Sequence, residues 1–96
     1  MATSSQPSER IMSKVSTIVA SEYRIEVVEA LLDGPKTPSQ ITEFVNADGM
    51  AHYSRAVTGM QDEDITELLV PEERQKGRIY ALTEDGKEAA EFAVEM

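Results

Sequence analysis

The stretch ITELLVPEERQKGRIYAL, residues 65–82, predicts a β-hairpin. Its first part, Ile65–Val70, is rich in the β-branched and large apolar residues that favour strands. Pro71–Gly77 is polar and contains proline and glycine, which are typical of turns. Arg78–Leu82 is mostly apolar again and predicts the returning strand. A hairpin at this place distinguishes the predicted fold from a purely helical bundle.

Two short helices joined by a turn precede the hairpin. Thr37-Pro38-Ser39-Gln40 has the pattern of a capping box with proline at the first helical position, so a helix begins there. Its predicted core residues are Ile41, Phe44 and Val45. The turn residues 46–49 follow, and the next helix begins near Ala51. Its predicted core stripe is Met50, Tyr53, Val57 and Met60. Residues 37–62 therefore predict a helix-turn-helix, with the hairpin of residues 65–82 directly after it.

Amphipathic helices flank this unit. Ser8 is the predicted N-cap of the first helix, whose apolar stripe is Ile11, Val15, Ile18 and Val19. A second helix runs from about Ser21 to Leu32, and its predicted inward residues are Tyr23, Val27, Val28, Leu31 and Leu32. Thr83 caps a last helix over residues 83–96. We expect a disordered leader at residues 1–7 and one domain at 8–96 of the α+β class, mainly α with a small β-hairpin.

The composition restricts the classes of function. The absence of cysteine excludes disulfides, thiolate metal sites and cysteine nucleophiles. One histidine leaves only carboxylates to complete a transition-metal site, so we expect no metal and no cofactor. No nucleophile with a matching base is visible, which argues against an enzyme. The chain has neither a signal-peptide pattern nor an apolar run of membrane-spanning length. The expected location is the cytoplasm, away from membranes.

The charge is unevenly distributed. The net charge of −9 has the wrong sign for an ordinary duplex-DNA binder. However, three of the nine basic residues, Arg74, Lys76 and Arg78, lie close together in the hairpin loop. At roughly 1 M salt the Debye length is about 3 Å, so local basic clusters decide docking there. The acidic composition fits a protein from a cytoplasm of molar salt, or an acidic module that binds other proteins.

Four segments, in this order, resemble the winged-helix regulators of the ArsR, MarR and PadR type. They are Gly34–Ile41, His52–Val57, Lys76–Tyr80 and Leu82–Lys87. Each is short and unspecific, but their order and spacing cover about residues 21–87. With the acidic composition, the chain resembles haloarchaeal members, which include stress-response regulators. It departs from the family at Asp64, where a glycine is frequent, and at Gly59 inside the second helix of the helix-turn-helix.

The resemblance implies a sequence-specific transcription regulator without catalytic activity. The helix starting near Ala51 would be the recognition helix in the major groove, and Pro71–Arg78, called the wing below, would contact the flanking backbone or minor groove. The residues expected to contact double-stranded DNA are Thr37, Ser39, Gln40, Ala51, His52, Ser54, Arg55, Thr58, Arg74, Lys76 and Arg78. For Thr37 and Gln40 the alternative is capping alone, for His52 an exposed side chain without a role, and for the wing a solvated hairpin.

A homodimer through the first and last helices is the expected assembly. We expect that one small domain does not fully bury their apolar stripes; the alternative is that both stripes pack inside a monomer. A two-fold dimer would present two recognition helices about 34 to 36 Å apart. A different class of function also fits the charge: an acidic protein-interaction module that uses the winged fold without binding DNA.

Overall fold

The computed structural model describes residues 8–74 and 76–95. Within these residues the chain forms five helices and two strands, and the predicted leader at residues 1–7 lies outside them. The elements are α1 (Glu9–Val19), α2 (Glu22–Leu32), α3 (Pro38–Phe44), α4 (Met50–Asp62), β1 (Thr66–Leu68), β2 (Tyr80–Leu82) and α5 (Glu84–Val94). In this part of the chain no helix is long and apolar enough to cross a membrane.

Side-chain caps fix where four of the helices begin. Ser8, Ser21, Thr37 and Thr83 each accept a hydrogen bond from a backbone amide of the first helical turn. At Thr37 the capping box is complete, because the Gln40 side chain also accepts from the Thr37 amide. Helix α4 begins differently, after Gly49 in a left-handed conformation and without a side-chain cap. The predicted starts of α1, α3 and α5 are confirmed.

The hairpin is shorter than predicted. Strands β1 and β2 are antiparallel and three residues long, with Thr66 opposite Leu82 and Leu68 opposite Tyr80. One further bond, from the Leu69 amide to the Ile79 carbonyl at 2.8 Å, continues the ladder toward the wing. The predicted strands 65–70 and 78–82 were too long because this pairing ends before the wing begins. On its other edge Tyr80 exchanges two backbone bonds with Lys36, which ties the hairpin to the start of the helix-turn-helix.

The core lies where α1, α2, α4 and α5 meet the base of the hairpin. Its fully buried members include Ile11, Ile18, Val27, Val28, Ile41, Val57, Met60 and Ile65. The core prediction is wrong for four residues: Val19, Tyr23, Phe44 and Met50 are 37% to 50% exposed. Each lies in the first or last turn of its helix, where the apolar stripe runs past the edge of the neighbouring helix.

Helices α1 and α5 pack against each other within one chain. The α1 residues Ile11, Val15 and Ile18 are at most 1% exposed, and Ala89, Ala90 and Ala93 of α5 are also buried. Arg10 and Asp85 join the two helices at the surface, with 2.8 Å between Nε and Oδ2. Most of both stripes is thus buried within one chain, whereas Val19 of the α1 stripe is 37% exposed. A dimer through the outer surfaces of the helices stays a prediction.

The position of Asp64 explains one departure from the family pattern. Its φ is +60°, in the left-handed region, where glycine has no steric penalty and aspartate is among the better-tolerated residues. The backbone turns there between α4 and β1, and the Asp64 carbonyl accepts a bond from Thr83 Oγ1 at 2.7 Å. The other departure, Gly59, does not break α4, which continues to Asp62. The geometry after α4 is therefore that of a regular turn.

Tyr53 fastens α4 to α2. Its hydroxyl donates to a Glu26 carboxylate oxygen at 2.7 Å, and its ring is buried. This hydrogen bond, together with burial and the Glu26 charge, raises the pKa of Tyr53 from 10.0 to about 12. The phenol therefore keeps its proton in the folded chain at pH values where an unfolded chain loses it.

We expect the Tyr53 bond to lose its stabilising effect as the pH rises from 10 toward 12. Its contribution is complete below the unfolded pKa of 10.0, and above it the stability falls by up to about 1.4 kcal/mol per pH unit. Urea unfolding of the wild type and of Tyr53→Phe from pH 8 to 11 measures this. The two free energies should converge above pH 10. Parallel curves for wild type and Tyr53→Phe would contradict the assignment.

Candidate nucleic-acid interface

An open groove of about 720 Å³ runs between the start of α3, one side of α4 and the wing. Three separate stretches of sequence supply its walls. The lining residues are Thr37, Pro38, Ser39, Met50, Ser54, Thr58, Lys76, Gly77, Arg78 and Tyr80. Six of the eleven residues predicted to contact DNA lie here: Thr37, Ser39, Ser54, Thr58, Lys76 and Arg78. The groove therefore combines hydroxyl groups on two walls with two cationic side chains on the third.

The α3 wall is held by its own capping box. Thr37 Oγ1 accepts from the Gln40 amide at 3.2 Å, so its oxygen is already engaged. Gln40 reaches back to Thr37 and lies beside Phe44 and Lys36, on the side of α3 outside the groove. Ser39 is exposed and faces the groove. Of the three predicted α3 residues, Ser39 therefore has the freest side chain for an external partner.

Helix α4 divides its surface into three parts. Tyr53, Val57 and Met60 are buried. Ser54 and Thr58, one turn apart, line the groove, where Thr58 Oγ1 donates to the Ser54 carbonyl at 2.8 Å and keeps its lone pairs free. Away from the core, a shallow depression is lined by Ala51, Ser54, Arg55, Thr58, Gly59 and Asp62. Ala51 and Arg55 therefore lie on the outward face of α4, outside the groove.

His52 lies on the opposite flank of α4, toward α2. Its ring stacks on Tyr23 with 4.7 Å between the centroids and 8° between the planes. Tyr23 in turn meets the Tyr53 ring edge-on at 5.3 Å. This stack explains why Tyr23 is exposed although its sequence position suggested the core. Sequence reasoning missed Tyr23 as a surface residue because the spacing of α2 alone does not reveal an aromatic partner on α4.

The wing is shaped by its own arginines. Arg78 donates from Nε to the Arg74 carbonyl at 2.7 Å and from Nη2 to the Glu72 carbonyl. Arg74 Nε donates to the Lys76 carbonyl at 2.9 Å. Gly77 has φ +65°, and a Cβ there would be 3.1 Å from the Arg74 guanidinium. Arg74 and Arg78 thus organise the loop with part of their donor capacity, while Lys76 is exposed at its tip.

Lys76 and Arg78 form no salt bridge within the described residues. In that part of the chain the salt bridges are Arg10 with Asp85 and Lys36 with Asp33. Lys36 is further occupied, because its ammonium also donates to the Ala30 carbonyl and lies 4.8 Å from the Phe44 ring centroid. The described residues contain no cluster of three or more His, Asp and Glu side chains that could hold a metal ion. Positive charge near the groove thus comes from Lys76 and Arg78.

Met50 is a groove residue that sequence reasoning placed in the core. It is 50% exposed and lies four residues before Ser54 and eight before Thr58, on the same side of α4. That spacing of four was the available signal. The signal was ambiguous, because Met50 also lies three residues before the buried Tyr53, and that spacing fits a core stripe equally well. Tyr80 of β2, which also lines the groove, is 2% exposed.

The fold is similar to that of YodB from B. subtilis, as seen in a crystal structure of the diamide-treated protein. The TM-score is 0.71 at 22% sequence identity, with 95% of this chain and 89% of the YodB chain covered. No protein-family model matches the sequence, and no curated protein is significantly similar to it. The likeness shows the fold: a mainly helical winged helix with a small antiparallel hairpin, as predicted from the sequence.

Proposed function

We propose that the chain is a sequence-specific DNA-binding transcription regulator that acts without catalysis or cofactor. The observation that supports this most is the groove between α4 and the wing, with its hydroxyl groups and two cationic side chains. Helix α4 lies in the major groove, and the wing lies over the adjacent minor groove or its backbone. The proposed DNA contacts are the eleven residues predicted from the sequence, together with Met50.

Duplex geometry supports this placement. The major groove is about 12 Å wide and admits one α-helix. One sugar-phosphate strand separates it from the adjacent minor groove. If α4 and the wing enter neighbouring grooves, that strand passes between them, through the groove described above. Ser39 and Ser54 then offer hydroxyl donors to phosphate, and Lys76 and Arg78 offer charge. The outward residues Ala51 and Arg55 face the base edges.

We propose that this binding occurs at high ionic strength, because the net charge of the chain is −9. In dilute buffer the acidic surface repels a duplex over a long range, whereas in molar salt the repulsion is confined to about 3 Å. Contacts in the groove then decide affinity. This is the condition in the cytoplasm of a haloarchaeon, where we place the protein, and a role in a stress response fits the resemblance noted in the sequence.

Selection of duplexes from a random library, followed by fluorescence anisotropy in 1 to 3 M KCl, tests the proposal. We expect enrichment of a defined site and saturable binding that exceeds the binding of a scrambled duplex by at least about a thousandfold, as for specific regulators. Failure to enrich any site, together with equal binding of selected and scrambled duplexes, would refute the proposal.

Variants should separate positioning contacts from reading contacts. We expect Lys76→Ala to weaken binding to selected and scrambled duplexes by a similar factor, because a phosphate contact carries no sequence information. The slope of log affinity against log salt concentration should fall in magnitude by about one. Arg55→Ala should instead cost about 1 to 3 kcal/mol at particular base pairs of the selected site. Anisotropy titrations against single-base variants of that site measure both. Equal losses on all sequences for both variants would contradict this division of roles.

A homodimer through the outer surfaces of α1 and α5 completes the proposal. Met12 and Val19, 41% and 37% exposed, leave apolar side chains on the free side of α1. A two-fold axis there would place the two α4 helices on successive major grooves of one duplex face. The selected site is then a palindrome with half-sites one helical turn apart.

We expect Met12→Glu and Val19→Glu to convert a dimer to a monomer, because each places a charge in the proposed apolar contact. Light scattering after size-exclusion chromatography measures the mass, and anisotropy should show affinity for the palindrome falling to that for one half-site. Leu69→Glu, at another exposed apolar position, is the matched control. A wild type that is monomeric both free and on DNA would exclude the dimer.

One observation favours a second function, that of an acidic protein-interaction module. Phe44 is 48% exposed at the end of α3, beside a depression lined also by Pro35, Lys36, Gln40 and Glu43. An exposed aromatic ring with a polar rim is typical of an interface hot spot. Affinity capture from native lysate distinguishes the functions. A stoichiometric protein partner lost in Phe44→Ala, without enriched DNA, would favour the module.

A further inference from the structure

A second depression lies on the flank of α4 that faces away from the wing. It has a volume of about 300 Å³ and is formed by the start of α2 and the middle of α4. Tyr23, Arg24, His52, Arg55 and Gly59 line it. Two of the nine basic residues of an acidic chain, Arg24 and Arg55, thus meet here, and Arg24 is not among the residues predicted from the sequence to contact DNA.

The polar groups there are held in place and still have donors to spare. Arg24 Nη1 donates to the Thr17 carbonyl at 2.8 Å, which uses one of the five guanidinium N–H groups. His52 is kept in one ring plane by its stack on Tyr23. Arg55 forms no salt bridge within the described residues. The depression therefore presents donors and positive charge, which suit an anionic group.

Gly59 provides an independent argument. A Cβ built at this position meets no other atom of the chain within 4 Å. A glycine inside an exposed helix costs about 1 kcal/mol relative to alanine. Packing within the chain does not require the glycine, and the open space above its backbone leaves room for a ligand that approaches from outside. Gly59 lines both this depression and the outward face of α4, so that approach is along the flank of α4.

We infer that this depression is a second phosphate-binding surface, which holds the DNA strand on the far side of the major groove. The inference rests on the proposed function. A helix in the major groove lies between two strands: one passes the wing, and the other passes the opposite flank of α4. Arg24 and His52 contact phosphates of that second strand, Arg55 adds positive charge beside them, and the bare backbone at Gly59 lets the strand approach closely.

Phosphate-ethylation interference on a duplex selected by the full chain tests this. For the wild type we expect two clusters of interfering phosphates in each half-site, one on each strand beside the major groove. Arg24→Gln should remove the cluster on the strand away from the wing, lower the salt slope by about one, and weaken all sequences about three- to tenfold. Lys87→Gln, an exposed cation on α5, is the control that should change none of these.

Gly59→Ala tests the same surface without removing the bond to Thr17, whose loss could destabilise Arg24→Gln. The added methyl should weaken DNA binding severalfold although it does not lower the melting temperature. Wild-type affinity, salt slope and interference pattern in Gly59→Ala and in folded Arg24→Gln would overturn the inference. A wild-type chain that binds no duplex would overturn the proposed function, and this inference with it.

Discussion

Gly86→Ala is expected to be strongly destabilising, because there is no room for a methyl group at this position. Gly86 is buried in the first turn of α5, and its Cα faces the backbone of Ile65. A Cβ there would overlap the Ile65 carbonyl oxygen and lie 2.9 Å from Thr83 Oγ1. That carbonyl already accepts the Thr83 amide at 3.0 Å, so the backbone cannot withdraw without losing this bond to the N-cap residue of α5. We expect a loss of about 3 to 5 kcal/mol from a total of roughly 5 to 15.

Gly59→Ala is the matched control for this stability effect. It makes the same chemical change in an exposed helical position where the methyl meets nothing. Its expected gain is about 0.5 to 1 kcal/mol, from the higher helix propensity of alanine. Urea unfolding followed by circular dichroism in molar KCl measures both variants. A Gly86→Ala variant as stable as the wild type would show that α5 can shift away from Ile65.

Arg78→Gln is expected to give the largest loss of DNA affinity among single wing variants, about ten- to a hundredfold. The guanidinium bridges the carbonyls of Glu72 and Arg74 and also lines the groove. Glutamine removes a cation from the path of the strand and frees both carbonyls, so the loop must be ordered again on binding. These two effects add, whereas Lys76→Ala removes only a charge. Thermal stability should change little, since the wing lies outside the core.

Arg78→Lys separates shape from charge. Lysine retains the positive charge, but a single ammonium does not reproduce the planar fork that reaches two carbonyls. We expect its affinity, measured by anisotropy on the selected duplex, to be closer to that of Arg78→Gln than to that of the wild type. Lys76→Arg, at the exposed tip, should be neutral. If Arg78→Lys binds like the wild type, the loop bonds contribute nothing to affinity.

The elements of the fold could be predicted where the signal is local. Ser8, Thr37 and Thr83 mark helix starts because a cap and its amide lie within one turn of sequence. The burial of Val19, Tyr23, Phe44 and Met50 was mispredicted, because it depends on where neighbouring helices end. The requirement for glycine at position 86 was likewise invisible, since its cause, the Ile65 carbonyl, lies 21 residues away in the sequence.

In the candidate site, too, features with a local sequence signal could be predicted, and features that depend on tertiary packing could not. Lys76 and Arg78 were recognisable from their concentration in one loop, and the groove indeed brings them to Ser54 and Thr58. The role of Arg78 in bridging loop carbonyls needed the path of the backbone. Arg24 gave no signal in the sequence, because its nearness to His52 and Arg55 arises only from the packing of α2 on α4.

The packing of α1 on α5 means that the helix synthesised early acquires its partner late. At about 5 to 20 residues per second, a ribosome takes several seconds to reach α5 after α1 has emerged. An isolated helix as short as α1, with 11 residues, is marginal in water. Its stripe of Ile11, Val15 and Ile18 stays exposed during that interval. This stripe is covered by α5 only when Asp85 and its helix reach Arg10.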